Sequence, residues 1–200
     1  MYTPSYFSVP AKETLLGILP DASFVTVTTV AEDGAPQVTH LPVSYDPGRG
    51  DHGTIIGHMA KANPHCQWLE QSRSLVIFSG PHAYISPRDY ASVVNVPTWN
   101  YVAVHASGRA RILSGEADVI AVLKRLTAEN EGDRANPWSL EEIEAKRISA
   151  MTKAIVAFEI PVDHLEAKAK LGQNKSAEDK QALVSASAGS DLEEWQNSIL

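Results

Sequence analysis

At 200 residues, 44% of them hydrophobic, and with a formal charge of −7, the chain can bury the core of one domain and is too acidic for broad nucleic-acid binding. Its one cysteine, Cys66, excludes an internal disulfide and a thiolate-only metal cage and fits a reducing compartment. No apolar run is long enough to span a bilayer, and the start, MYTPSYF, lacks the basic and apolar regions of a signal peptide, so the expected location is cytoplasmic.

Strand signals fill the first half. ASFVTVTTV (22–30) is rich in β-branched residues, and QVTHLPVSY (37–45) follows it across AEDGAP. Asp33-Gly34 favours the positive φ of a tight turn, which predicts an antiparallel hairpin. TIIGHM (54–59), SLVIFSG (74–80), AYIS (83–86) and VPTWNYVAVH (96–105) are further strands. GRARIL (108–113) is expected to pair back on the last of these, and KAIVAFEI (153–160) is another strand. Six or more short strands joined by hairpin signals predict a mainly β fold with flanking helices, closing as an antiparallel barrel.

Helices are expected between the strands. Asn63-Pro64 reads as an N-cap with Pro at the first helical position, opening a helix to about Gln71. Over 115–129, Val119, Val122, Leu123 and Leu126 share one face. Ser139 and Glu142 form a capping box for a helix to about Met151, and Ser176 with Asp179 resembles another. KAKLGQNK (168–175) reads as too polar for the core. SASAGS (185–190) reads as a flexible link to a short helix holding Trp195, which sets a domain over 1–184 and a tail over 185–200.

Several segments carry residue types suited to chemistry. In GHMAKANPH (57–65), Lys61 precedes a capped helix start, where free N–H groups and a positive charge would suit a phosphate. A solvated lysine beside a routine cap is the structural alternative. THLP (39–42) offers the Thr39 hydroxyl and the His40 imidazole, which a regular strand points to opposite faces. Trp99, Asn100 and Tyr101 open a strand with aromatic surface and an amide, a set that suits either a buried strand start or a flat heteroaromatic ligand. The seven histidines show no zinc-enzyme spacing, so no metal site is expected. Cys66 beside His65 is a weak nucleophile pair, because sequential residues on a helix do not face each other. No GxSxG, GxGxxG or P-loop is present. The helical pair over 115–151 mixes five basic residues with eight acids (Glu116, Asp118, Glu129, Glu131, Asp133, Glu141, Glu142 and Glu144), which argues against direct reading of DNA.

Five segments in order, MYTPSYF, GHMAKANPH, SGPHAYISP (79–87), VPTWNYVAVHASG (96–108) and KLGQNKS (170–176), resemble the PaiB-type FMN-binding negative transcriptional regulators, from Met1 to about Lys180. The resemblance implies an FMN-binding split β-barrel related to pyridoxine-phosphate oxidase, forming a homodimer with FMN at the subunit interface. It implies that Lys61 and Asn63 meet the phosphate, with Thr39 and His40 as strand-borne candidates. Trp99, Asn100 and Tyr101 would lie beside the flavin ring, and Gln173, Asn174 and Lys175 would reach the flavin of the partner subunit. Cys66 stands where relatives are expected to carry an aromatic. Two functions compete: a flavin-binding regulator, working through a protein partner or flavin redox state, and a flavin-dependent oxidoreductase using NAD(P)H or a related reductant. No catalytic acid or base is assigned; His40, His82 and His105 are candidates without an arrangement.

Overall fold

The computed structural model describes residues 1–132 and 134–200. In chain order the elements are β1 (Ser8–Val9), α1 (Ala11–Ala22), β2 (Phe24–Val30), β3 (Pro36–Asp46), β4 (Thr54–Ala60), β5 (Arg73–Ile85), β6 (Thr98–Arg109) and β7 (Arg111–Leu113). These are followed by α2 (Glu116–Glu131), α3 (Ala145–Thr152), β8 (Ile155–Pro161), β9 (His164–Lys170), α4 (Ala177–Ala186) and α5 (Glu193–Ile199). They form two compact units: Met1–Ala22, Phe78–His105 and Glu166–Leu200 make the first, and Ser23–Ile77 with Ala106–Leu165 the second.

In the second unit the strand order is β5-β2-β3-β4-β8-β7. The β2–β3 hairpin forms as the turn chemistry predicts: Gly34 adopts φ 84°, and Asp33 Oδ1 accepts the Ala35 N–H at 2.9 Å. Its register sets Thr26 opposite His40 and Val27 opposite Thr39. Alternation sends Val25, Val27, Leu41 and Val43 inward and leaves Phe24 and Val38 exposed. Helix α2 lays Val119, Val122 and Leu126 over Ile56 of β4 and Ala157 of β8, so the helical periodicity read in the sequence is the buried stripe. Arg125 ties the helix to β3: its Nε donates to Ser44 Oγ at 2.5 Å and its Nη1 to Asp46 Oδ2 at 3.3 Å. Lys124 pairs with Glu141 and Arg134 with Glu131, so three basic residues of this region are engaged by neighbouring acids. Asp133, counted with the acids above, lies outside the described residues.

In the first unit the strand order is β1-β9-β6-β5, with Ser8 opposite Lys168 and Val9 opposite Ala167. Strand β6 alternates so that Asn100, Val102 and Val104 are buried. Helix α1, which carries no cap signal strong enough to be predicted, buries Leu15 and Ile18.

Several expectations about individual elements are corrected. The helix expected from Asn63 to about Gln71 is a five-residue 3-10 turn, Pro64–Trp68, although Asn63 caps it as predicted; the Cys66 N–H donates to the Asn63 carbonyl at 3.1 Å, an i→i+3 bond that winds the turn tightly. The segments 74–80 and 83–86 form one continuous strand, since the fixed φ of Pro81 is compatible with extended backbone. Arg111–Leu113 does not pair back on β6 but on β8, with Ile112 opposite Phe158. The Ser139–Glu142 capping box is present, yet it closes a 3-10 turn over Leu140–Glu142, and α3 starts only at Ala145. The segment read as too polar for the core enters it: Lys168–Lys170 complete β9, and Leu171 is fully buried. Lysine stems can lie along apolar surface while their ammonium ends find polar or aromatic contacts. Lys168 Nζ does so, donating to the Tyr2 carbonyl at 3.0 Å and lying 5.3 Å from the Tyr101 ring centroid.

Candidate cofactor site

The segment after β4 and the first half of β3 build one polar cluster within the second unit. The backbone turns at Ala60–Asn63, where the Lys61 N–H donates to the Ala154 carbonyl at 2.8 Å and leaves the Lys61 side chain exposed. Asn63 Oδ1 accepts the His65 N–H at 3.0 Å, which fixes the orientation of the amide; its Nδ2 then donates to Thr39 Oγ1 at 3.0 Å. His65 Nδ1 lies 2.8 Å from the same hydroxyl. His65 is 1% exposed, its Nε2 is buried without a hydrogen-bond partner, and burial pushes its pKa down, so the ring is neutral at physiological pH. Thr39, within β3, and Lys61 and Asn63, in the turn after β4, present a hydroxyl, an ammonium and an amide. This donor-rich set fits the phosphate of a flavin mononucleotide.

His40 is not part of this cluster. Its Nδ1 lies 3.1 Å from Thr26 Oγ1 on the opposite face of the β2–β3 pair, beside Phe24. Cys66 donates its Sγ–H to the Ala60 carbonyl at 3.4 Å, and burial pushes the thiol pKa up, so the Cys66–His65 pair has no thiolate to offer.

Within the first unit the residues singled out by sequence divide by role. Trp99 is 55% exposed, with the His82 ring 6.2 Å and the Tyr84 ring 6.1 Å away. Lys170 Nζ donates to Thr98 Oγ1 at 2.5 Å and to the Trp99 carbonyl at 2.6 Å, fixing the start of β6. Asn100 is buried, and its Nδ2 donates to the Leu171 carbonyl at 3.1 Å. Gln173 is also engaged internally: its Oε1 accepts the Leu171 N–H at 2.9 Å and its Nε2 donates to the Ala169 carbonyl at 2.6 Å. Lys175 donates to Asn95 Oδ1 at 2.6 Å and lies 4.7 Å from the Tyr90 ring centroid, while Asn174 is exposed. The polar loop at 173–175 thus organises its own turn.

His105 lies 3.9 Å from Glu166, and burial, with the nearby N-terminal ammonium, holds its pKa below the ordinary imidazole value. Among the described residues no group of three His, Cys, Asp or Glu could hold a metal ion, and no helix is long and apolar enough to cross a membrane. The site residue missed by sequence reasoning is His65. Its signal was its place directly after the Asn63-Pro64 cap, where the side chain can return to the strand.

A family described as "Putative FMN-binding domain" matches residues 1–164. The chain belongs to this family. Its cofactor is a flavin. The chain is 41% identical over 186 residues to the protease synthase and sporulation protein PAI 2 of Bacillus subtilis, covering 92% of this chain and 87% of that relative. An uncharacterized protein of Emericella nidulans is 29% identical over 185 residues, 74% of each protein. Among solved structures, the flavocytochrome Anf3 from Azotobacter vinelandii superposes with a TM-score of 0.62 at 21% identity, covering 90% of this chain and 77% of that chain. The FAD and heme binding protein from Mycobacterium smegmatis does so with a TM-score of 0.59 at 15% identity, covering 90% and 80%. These likenesses establish the fold as the FMN-binding split β-barrel that the sequence resemblance implied.

Proposed function

We propose that this family member binds FMN with its phosphate at the Thr39–Lys61–Asn63 cluster and acts as a flavin-dependent regulatory protein. The observation that carries the reading is the Asn63–Thr39–His65 network, in which a buried imidazole and a half-buried amide and hydroxyl are preorganised beside an exposed lysine. Such an arrangement has no structural need for Lys61, and its donors suit a phosphoryl group. The exposed Trp99 supplies a flat surface for the isoalloxazine of the other copy in a homodimer, a placement supported by its 55% exposure on the outward face of an alternating strand. In this reading Asn100 and Gln173 support the scaffold through Leu171 and do not touch the ring. When bound, the flavin supplies reversible redox chemistry; the chain binds and orients it.

The regulatory role is supported by the 41% identity to a relative whose name ties it to protease synthesis and sporulation. Regulation would act through a protein partner or flavin redox state, because the basic residues of the α2–α3 region are largely paired with acids. The test is the visible spectrum of the purified protein with NAD(P)H, in air and without air. A flavin that stays oxidised or is bleached once without turnover supports the regulatory reading. Steady consumption of NAD(P)H would replace it with an oxidoreductase.

A further inference from the structure

The hydrogen-bond count at Thr39 goes one step beyond the phosphate seat. A hydroxyl has one proton to give and two lone pairs to accept with. One lone pair of Thr39 Oγ1 is taken by Asn63 Nδ2–H, whose direction is fixed because Asn63 Oδ1 accepts the His65 N–H. What remains is set by the His65 tautomer. If His65 carries its proton on Nε2, Nδ1 must accept the Thr39 proton, and the hydroxyl has nothing left for a ligand. That arrangement also buries an Nε2–H with no acceptor, since Nε2 has no partner and the residue is 1% exposed. If the proton is on Nδ1, Thr39 accepts from both neighbours and its own proton is free. The buried Nε2 then keeps an unused lone pair, and under-satisfied acceptors are tolerated more often than orphaned N–H donors.

We infer that His65 is a positioning residue: as the Nδ1–H tautomer it donates to Thr39 and turns the Thr39 hydroxyl into a dedicated donor for an anionic phosphoryl oxygen. The ligand half of this inference rests on the phosphate-seat reading; the tautomer half does not. His65 itself never touches the ligand. The neutral ring needed for a single tautomer follows from its burial.

The test has two arms on the full-length protein. Side-chain nitrogen NMR of the purified wild type at neutral pH reads the tautomer, with the His65 signal assigned by its loss in His65→Asn. The expected spectrum shows a protonated Nδ1 and an unprotonated Nε2. The second arm measures FMN and riboflavin affinities in wild type, His65→Leu and His65→Asn. Leucine removes the Nδ1–H that orients the Thr39 hydroxyl and should cut the preference for FMN by about tenfold, whereas asparagine places an amide N–H near the Nδ1 position and should restore most of it. Thr39→Val should cost at least as much of the FMN preference as His65→Leu, because it removes the donating hydroxyl itself, and His65→Leu added to Thr39→Val should cost little more, because His65 acts only through that hydroxyl. An Nε2–H tautomer, or equal FMN preference in His65→Leu and wild type, would overturn the inference while leaving the seat intact. Equal binding of FMN and riboflavin by the wild type would overturn the seat and, with it, the role given to the hydroxyl.

Discussion

Asn100 separates the two readings of the aromatic strand start most sharply. Sequence resemblance places its amide beside the flavin ring, whereas the structure buries it and gives its Nδ2 to the Leu171 carbonyl at 3.1 Å. That carbonyl has one other side-chain donor, Gln196 Nε2, at a long 3.4 Å. Asn100→Ala therefore removes one buried hydrogen bond and leaves the carbonyl poorly satisfied. About 1 kcal/mol for the lost bond and a further 1–2 kcal/mol for the desolvated group give a destabilisation of about 2–3 kcal/mol. For a chain of this size that corresponds to a fall in Tm of roughly 4–12 °C. Differential scanning calorimetry on flavin-free protein reads it directly. Asn100→Asp should be at least as damaging, because it turns a carboxylate toward a carbonyl oxygen. If flavin-free Asn100→Ala melted within about 2 °C of wild type while losing FMN affinity, the scaffold role would be wrong and the ring-facing role restored.

Leu126→Ala should lower the urea-derived stability by about 2–5 kcal/mol, since it opens a hole in the cluster of Val119, Val122, Ile56 and Ala157; a loss under about 1 kcal/mol would mean that α2 does not carry this core. Burial depresses the folded-state pKa of His58, His65 and His105 below the unfolded value, so the unfolded chain takes up protons first as pH falls. Stability should be level above about pH 6.5 and decline below it, and a urea midpoint that held or rose from pH 7.5 to 5.5 would contradict this. Lys61→Ala should weaken FMN by about 1–3 kcal/mol in isothermal titration and leave riboflavin unaffected; an equal loss for both ligands would detach Lys61 from the phosphate. Light scattering should find a homodimer at micromolar concentration, and a monomer that retains FMN would remove the proposed role of Trp99 across subunits.

The periodic and punctuated parts of the chain were legible. The β2–β3 hairpin followed from Asp33-Gly34, and the stripe Val119, Val122, Leu126 from helical spacing. Local signals misled where length or tertiary pairing decided. Asn63-Pro64 does cap a turn, but the i→i+3 bond from the Cys66 N–H to the Asn63 carbonyl winds it as 3-10, which residue types do not announce. The lysines of 168–170 hide a strand because their polarity resides at the ends of long apolar stems. For the site, Lys61, Asn63 and Thr39 could be named from residue type. That His65 links the latter two could not, because a side chain returning across 26 positions leaves no periodic trace.

Whether the Thr39–Lys61–Asn63 cluster holds a phosphate is decided by a side-by-side titration of the flavin-free protein with FMN and riboflavin. The two ligands share the ring and differ in the phosphate, so their affinity ratio isolates the seat. A charged lysine and a hydroxyl donor together should make FMN tighter by about a hundredfold or more, with the advantage shrinking as salt is raised. Riboflavin binding as tightly as FMN would show that these residues hold no phosphate.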